Sequence, residues 1–377
     1  MLQGFAFTLV PSLATVFSAA PYGIDAQAFG GLFVPLTLGA IAAAAVTPLL
    51  ARRRGMVGVL GLGIIANVIG LAALVASIAL PARAAYGLLL VDTTALGIGF
   101  GLNFPAVNEL ASVLSANATR SVTIANVFTG LGTALTPLLV GSLVARGLWP
   151  AWPSILAACF FGVLVLSYGW KIAPAPTGST PLRHPIPRAL VVFGVAVLLY
   201  AFCEGAFSSW ATTFAHTERR FSLATAEAAL SGFWLALTGT RLVAALITRA
   251  LQPRLALIVF PIAIAVAVFV LPTWTTAPLL VLGFIAGGIA CSIVFPYAMS
   301  LALSAMPKDA NRVASVLVGA LMTGEGLGTF LIGVLHSNFE VSLAEIYRWS
   351  ALVALALAIV AMLSRSASPE SALKSSR

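Results

Sequence analysis

Long apolar runs recur along the whole chain, separated by short polar breaks, and this pattern limits the fold more than any other feature. A helix needs about 20 apolar residues to cross the ~30 Å hydrocarbon layer of a bilayer, with shorter runs tolerated. Twelve stretches qualify: residues 4–19, 29–50, 56–80, 85–107, 122–144 and 152–170, then 189–214, 229–247, 255–271, 278–305, 313–336 and 349–363. They are apolar all round rather than along one stripe, and only lipid accepts such a surface on every side. With 60% hydrophobic and 8% charged residues, where a soluble domain carries roughly 25% charged, a water-soluble fold is excluded. The first run ends in Phe17-Ser18-Ala19-Ala20, which has the look of a signal-peptide cleavage site. No basic segment precedes it, so it is read as a helix.

The charges that remain report orientation. Lys and Arg total 20 against 11 Asp and Glu, a balance that in a soluble protein points to nucleic acid. Here they sit singly or in small groups between apolar runs, with no basic helix, so nucleic acid is not an expected partner. Cytoplasmic loops retain Lys and Arg. With the N-terminus inside, fourteen of the 20 fall in cytoplasmic segments, five (Arg83, Arg146, Arg219, Arg220 and Arg348) in outer loops, and Arg241 within a helix. Both termini are therefore expected in the cytoplasm. Trp149, Trp152, Trp170, Trp274 and Trp349 stand at predicted span ends, where amphipathic indoles favour the lipid-water interface. Cys159, Cys203 and Cys291 lie in apolar runs without paired spacing and imply neither disulfides nor a metal site.

Residues 171–188 read KIAPAPTGSTPLRHPIPR, too rich in proline and polar residues for a helix and suited to a linker. The expected organisation is a six-helix bundle over 1–172, a cytoplasmic linker over 173–188, a second six-helix bundle over 189–365 and a cytoplasmic tail over 366–377. The halves echo each other. Phe104-Pro105 followed by Gly130-Leu131-Gly132-Thr133 recurs as Phe295-Pro296 followed by Gly326-Leu327-Gly328-Thr329, at offsets of 191 and 196 residues. These fall in spans 4 and 5 and again in 10 and 11, the parallel repeat of a six-plus-six transporter.

On these residues the chain resembles the major facilitator superfamily over nearly its whole length. Between the second and third spans, Pro48-Leu49-Leu50-Ala51-Arg52-Arg53-Arg54-Gly55-Met56 carries the basic cluster and glycine of that family's cytoplasmic gate loop, with Pro48 in place of its glycine and Arg52 in place of its aspartate. Tyr200, Glu204 and Trp210, with Ser231-Gly232-Phe233-Trp234 and Gly239-Thr240-Arg241, resemble the branch of fucose, glucose and galactose symporters. Phe104 stands where those carry an acidic residue, and Asn108 keeps its position. The resemblance implies an all-α membrane protein of twelve transmembrane helices in two pseudo-symmetric six-helix bundles. It further implies a monomer that needs no cofactor and moves a small-molecule substrate with protons. In that fold spans 3, 6, 9 and 12 are peripheral, and here they contain no charged residue.

An ionisable side chain in hydrocarbon costs at least ~2.5 kcal/mol on insertion scales, so each one present calls for a function or a partner. Asp92, Glu204, Arg241 and Glu325 lie well inside spans 4, 7, 8 and 11. At 1.5 Å rise per residue, Glu325 lies about 18 Å from the inner end of its span and Arg241 about 18 Å from the outer end of its own, both near the midplane. Arg241 suits either a carboxylate partner or an anionic substrate held in its guanidinium fork. Glu204 shares a helical face with Tyr200, Phe207 and Trp210. A carboxyl there is neutral when loaded with a proton and charged when empty, as proton symport requires; the structural alternative is an interhelical hydrogen bond from a permanently protonated acid. Glu325, between Gly324 and Gly326, has little room except into the bundle. Asp92, about 10 Å from the outer surface, can also snorkel or cap. Asn103, Asn108, Asn126, Ser292 and Tyr297 offer hydrogen bonds to a polar solute, and Tyr200, Trp210 and Trp234 shape its cavity.

No phosphate-binding loop, HExxH or nucleophile elbow occurs, and the loops are too short for a catalytic domain, so an enzyme is not expected. The expected function is proton-coupled symport of a small polar organic solute across a bacterial inner membrane. Span 5, with Gly130, Gly132, Thr136-Pro137 and Val140-Gly141, partly resembles the glycine-proline element of drug antiporters. Proton-driven efflux of an amphipathic compound therefore stays open. A non-transporting receptor or a membrane-embedded enzyme is the alternative from another class.

Overall fold

The computed structural model describes residues 1–114, 118–170, 187–246, 252–306 and 309–366. They form helices, with no strand among the described residues. In chain order these are α1 (Leu2–Phe7), α2 (Leu9–Ser12), α3 (Ala14–Ser18), α4 (Ala26–Gly31), α5 (Phe33–Ala76), α6 (Ala82–Val113), α7 (Ala118–Val144) and α8 (Ala151–Ser167). After the linker come α9 (Arg188–Ser209), α10 (Leu223–Leu246), α11 (Pro253–Val270), α12 (Ala277–Cys291), α13 (Val294–Ala305), α14 (Ala310–Asn338) and α15 (Leu343–Ser366). A π-helical turn, Thr213–Glu218, follows α9. Of the linker expected over 173–188 only Pro187 and Arg188 are described, and Arg188 already opens α9; the tail beyond Ser366 lies outside the described residues. Among the described residues, eight helical segments are long and apolar enough to cross a membrane, and large side chains such as Leu38, Leu166 and Leu352 point outward. This is a multi-pass membrane protein with lipid as its outer solvent.

The basic stretch expected as a loop is helical. Arg52, Arg53 and Arg54 continue the first arm of α5, and Gly55 alone makes the bend, at φ 69° and ψ 169°. A Cβ resists that conformation, and glycine does not. The two arms run in opposite directions along α6. Gly97 meets Leu36 and Gly101 meets Ala40, so the first arm is parallel to α6; Gly63 meets Asn103 and Gly99 meets Asn67, so the second is antiparallel. Arg52–Arg54 thereby mark one end of the molecule, the basic end. The turns at Asp25, Gly147, Arg219 and Phe339 lie at the far end.

Three helix starts at the far end, those of α4, α10 and α15, are capped by side chains. The Asp25 carboxylate accepts from Ala28 N at 2.7 Å, and Ser222 Oγ accepts from Thr225 N at 3.1 Å. Ser342 and Glu345 form a reciprocal capping box before α15: Ser342 N donates to Glu345 Oε2 at 3.1 Å and Glu345 N to Ser342 Oγ at 3.2 Å. Glu218 reaches the same helix end, accepting from the backbone of Leu343 and Ala344, where a negative charge is favoured.

Lipid gives helices no hydrophobic reason to associate, so small residues that let backbones approach carry the packing. The repeated Gly-Leu-Gly-Thr has the same task in both halves. Gly130 of α7 lies against Thr238 of α10, and Gly326 of α14 lies against Thr37 of α5. Gly132 packs on α1 at Met1 and Phe5, and Gly328 packs on α9 at Phe202. Met1 thus sits beside the middle of α7 rather than at the basic end. Helices before residue 171 and helices after residue 186 pack mainly among themselves and meet along α7 with α10, and α4 and α5 with α14. Named contacts across this seam, from Gly130–Thr238 to Gly141–Glu227 and from Thr37–Gly326 to Ala26–Gly333, run from mid-depth to the far end.

A methyl group on Gly97 would run into the Leu36 carbonyl, and one on Gly288 into the Phe233 carbonyl. Gly97→Ala and Gly288→Ala are each expected to destabilise the protein by about 1–3 kcal/mol, read from thermal unfolding in detergent. Gly87→Ala and Gly162→Ala, with nothing within 4 Å of the added methyl, should leave the midpoint unchanged or raise it.

Candidate functional site

A helix break and one helix face assemble a polar cluster deep in the second group of helices. α12 ends at Cys291 and α13 starts at Val294. In the break, Ser292 N and Oγ both bond back to the Ile289 carbonyl, and the Ser292 carbonyl turns to accept from Arg241 Nε at 2.7 Å. Arg241 Nη2 also reaches the Tyr200 hydroxyl at 3.4 Å and Glu204 Oε1 at 3.9 Å. Tyr200 and Glu204 are one turn apart on α9, so they share a face. The Glu204 side chain is 8% exposed and that of Arg241 37%. Arg241 is therefore held mainly by Ser292, with Glu204 as a loose counter-charge on its buried side.

Glu325 approaches from α14. Gly205 leaves room for it: a Cβ there would lie 3.2 Å from the Glu325 carbonyl oxygen. The Glu325 carboxylate feels the charge of Glu204 and lines a narrow hollow between the two groups of helices. Phe7 and Pro11, Phe33 and Thr37 of α5, Ser208 of α9, Trp234 of α10 and Met322 of α14 complete much of the wall, so both groups of helices contribute. Ser208 Oγ and Trp234 Nε1 are buried there without a hydrogen-bond partner. Phe7 meets Trp234 edge-on at 5.8 Å and lies 5.3 Å from Phe100, which stacks on Phe104 at 5.3 Å. This aromatic row joins α10 to α6 across the seam.

The other expected residues divide. Asn126 donates to Asn108 at 3.2 Å, both half-buried, joining α7 to α6. Asn103 turns away from the hollow and donates to Gln3 at 3.1 Å, and Asn67 donates to the same oxygen at 2.9 Å. Trp210, expected in the cavity wall, is sealed: it is 1% exposed, donates to the Thr329 carbonyl at 3.2 Å and packs on Phe29 at 5.3 Å. Asp92 neither snorkels nor caps. It is fully buried beside Gly70 of α5, and neither carboxylate oxygen has a hydrogen bond. Tyr297 is half-buried against the small cluster of Ala244, Ala256 and Ile293. Arg52, Arg53, Arg54 and Gly55 lie at the basic end, away from the cluster.

Several residues of the site are not legible in the amino-acid order. Gln3 stands just before the first apolar run and Asn67 is a single polar residue within the third, and their pairing depends on how α1 and α5 are rotated. Ser208 and Thr37 are too common in membrane helices to stand out. Glu227 falls outside the apolar run of residues 229–247, whereas α10 begins at Leu223; the Ser222-x-x-Thr225 cap is the signal that extends the helix.

By sequence, no family model and no curated protein matches the chain. By structure it is similar to solved transporters. The nucleoside transporter NupG superposes with a TM-score of 0.74 at 14% identity, over 96% of this chain and 98% of that one. The xylose transporter XylE from E. coli, in an inward open conformation, gives 0.71 at 14% identity, over 95% and 93%. The E. coli fucose:proton symporter FucP gives 0.65 at 17% identity, over 96% of each, and is described as a Major Facilitator Superfamily transporter. The chain has the major facilitator fold.

Removing Arg241 leaves Glu204 buried without its counter-charge. Arg241→Gln is expected to cost about 1–3 kcal/mol, below the ~3–5 kcal/mol of a fully buried pair because Arg241 is partly exposed. Adding Glu204→Gln should recover most of that loss in a double-mutant cycle of thermal unfolding. Independent, additive losses would show that the two side chains do not interact.

Proposed function

We propose that this protein is a secondary active transporter that moves a small polar organic solute by alternating access, in symport with protons. The observation that carries this reading is Glu325, an acid without a hydrogen-bond or ion-pair partner among the described residues, on the wall of the hollow between the two groups of helices. A carboxyl so placed can bind a proton from the hollow, and its reach to Glu204 lets that proton alter the Glu204–Arg241 pair. Taking α4 and α5 as a hairpin of two crossings, and adding α1–α3, α8 and α10 to the remaining apolar helices, gives twelve crossings in two bundles of six. The basic end is then cytoplasmic in a bacterial inner membrane, and the unit is a monomer. With the seam closed from mid-depth to the far end, the hollow serves the cytoplasmic side in this conformation.

The wall favours one kind of solute. Trp234 N–H and Ser208 O–H require acceptors such as hydroxyl or carbonyl oxygens, and the row of aromatic rings favours a flat or apolar face. Sugars and nucleosides, the solutes in the names of similar transporters, combine the two. Arg241 is already engaged by Ser292, Tyr200 and Glu204, so a neutral solute suits the site better than an anion. The span-5 glycines that resemble an antiporter element are accounted for by packing, Gly132 on α1 and Gly130 on Thr238, which removes the main support for efflux.

In proteoliposomes, solute uptake should acidify the lumen. Glu325→Gln is expected to abolish accumulation driven by a proton gradient while sparing counterflow exchange, and full accumulation by that variant would exclude Glu325 from coupling. Trp234→Phe should weaken solute affinity by roughly 2- to 10-fold, the worth of one neutral hydrogen bond.

A further inference from the structure

A carboxylate that the transport reading does not use lies on the seam between the two groups of helices. Glu227, near the start of α10, is 1% exposed, and neither of its carboxylate oxygens has a hydrogen bond. Its side chain lies flat over Gly141 of α7. A Cβ on Gly141 would come within 2.6 Å of Glu227 Cγ and 3.2 Å of its Cβ, so the seam closes directly onto this side chain and admits nothing between. The corresponding seam of α4 with α14, at the same end, is held by a neutral contact: Gln27 N donates to Ser337 Oγ at 2.9 Å.

The charged and titratable groups on the elements packed around α10 are engaged elsewhere. Arg146, just beyond α7, bonds to the Ser142 carbonyl, and His216 of the π-helical turn bonds to the Phe221 carbonyl. Glu218 caps α15, and Arg219 donates to the Trp274 carbonyl. Deeper in the bundle, Glu204 and Tyr200 of α9 and Cys291 of α12 belong to the Arg241 cluster. Glu227 has neither a hydrogen bond nor an ion pair among the described residues.

We propose that Glu227 is a proton-binding site that governs closure of the α7–α10 seam: the seam shuts over the neutral acid, and the anion holds it open. The proposal rests on the alternating-access reading, because it requires an open form in which the far end of the seam meets water. A carboxylate anion with neither counter-charge nor hydrogen bond is strongly disfavoured in an apolar interior, whereas the open seam hydrates it. The closed form therefore binds the proton more tightly than the open form. By linkage, acid favours closure and base favours opening, with the ratio of the two forms changing by at most about tenfold per pH unit for one proton.

The test uses the full chain in lipid nanodiscs, with exposed Cys159 changed by Cys159→Ser and spin labels attached at Ala145→Cys and Ala224→Cys, which flank the seam. Pulsed electron resonance between about pH 5 and about pH 9 should show the short-distance population falling as pH rises. Glu227→Gln should keep the short distance throughout. Gly141→Ala, which props the seam apart, should enrich the long distance at every pH. A parent protein whose distances ignore pH, or a Glu227→Gln variant that keeps the parent's response, overturns the proposal. The labels report closure without solute, so failed uptake in proteoliposomes alongside pH-dependent distances counts against transport alone. Successful uptake alongside pH-independent distances counts against Glu227 alone.

Discussion

Helices surrounded by lipid gain nothing by turning apolar side chains toward one another, because the hydrocarbon is as apolar as leucine. Cohesion here comes instead from backbones drawn into direct contact and from polar groups matched inside the bundle, and both depend on side chains that are absent. Where Gly97 meets Leu36, Gly288 meets Phe233 and Gly324 meets Leu198, one helix crosses another at a bare carbonyl. The same closeness lets Thr8 and Trp210 reach the carbonyls of Thr133 and Thr329 on neighbouring helices. A larger residue at such a crossing would separate the helices and strand the polar groups together.

That constraint sorts the buried polar residues by what satisfies them. Asn67 and Asn103 both donate to the Gln3 side-chain oxygen and tie α5 and α6 to α1, while each Oδ1 stays buried without a hydrogen bond. Glu325, Ser208 and Trp234 face a hollow without protein partners, and a group of that kind is satisfied by whatever enters. Glu227 faces the other half of the molecule across the α7–α10 seam. Asp92 lies buried beside Gly70 without a hydrogen bond, and nothing in the surrounding helices explains it.

The internal repeat shows where structure ends and chemistry begins. Gly4 and Gly205 occupy equivalent crossings, the first against the Thr129 carbonyl and the second against that of Glu325. Packing is thus preserved while the side chain at the crossing changes from a hydroxyl to an acid. Arg241 likewise draws on a break between α12 and α13 that the continuous α6 of the first half does not have. The charged cluster is confined to one half, and the other half contributes aromatic and hydroxyl groups to the shared wall.

Run length and apolarity are properties of a line, so the amino-acid order alone determined their consequences: helices in lipid, the repeat, the basic end, and the few charges that needed a reason to be inside. Facing direction is not such a property, since it depends on how each helix is rotated and where its neighbour lies. Tertiary structure therefore decided that Asn103 turns to Gln3 while Asn108 turns to Asn126, that Trp210 seals the far end instead of lining the cavity, and that the basic loop is a helix ending at Gly55. It also set Arg241 on the Ser292 carbonyl, which the helix break turns toward it, with Glu204 as the nearest carboxylate. A carboxylate such as Glu227 acquires meaning only when another helix closes over it, and no reading along the chain contains that contact.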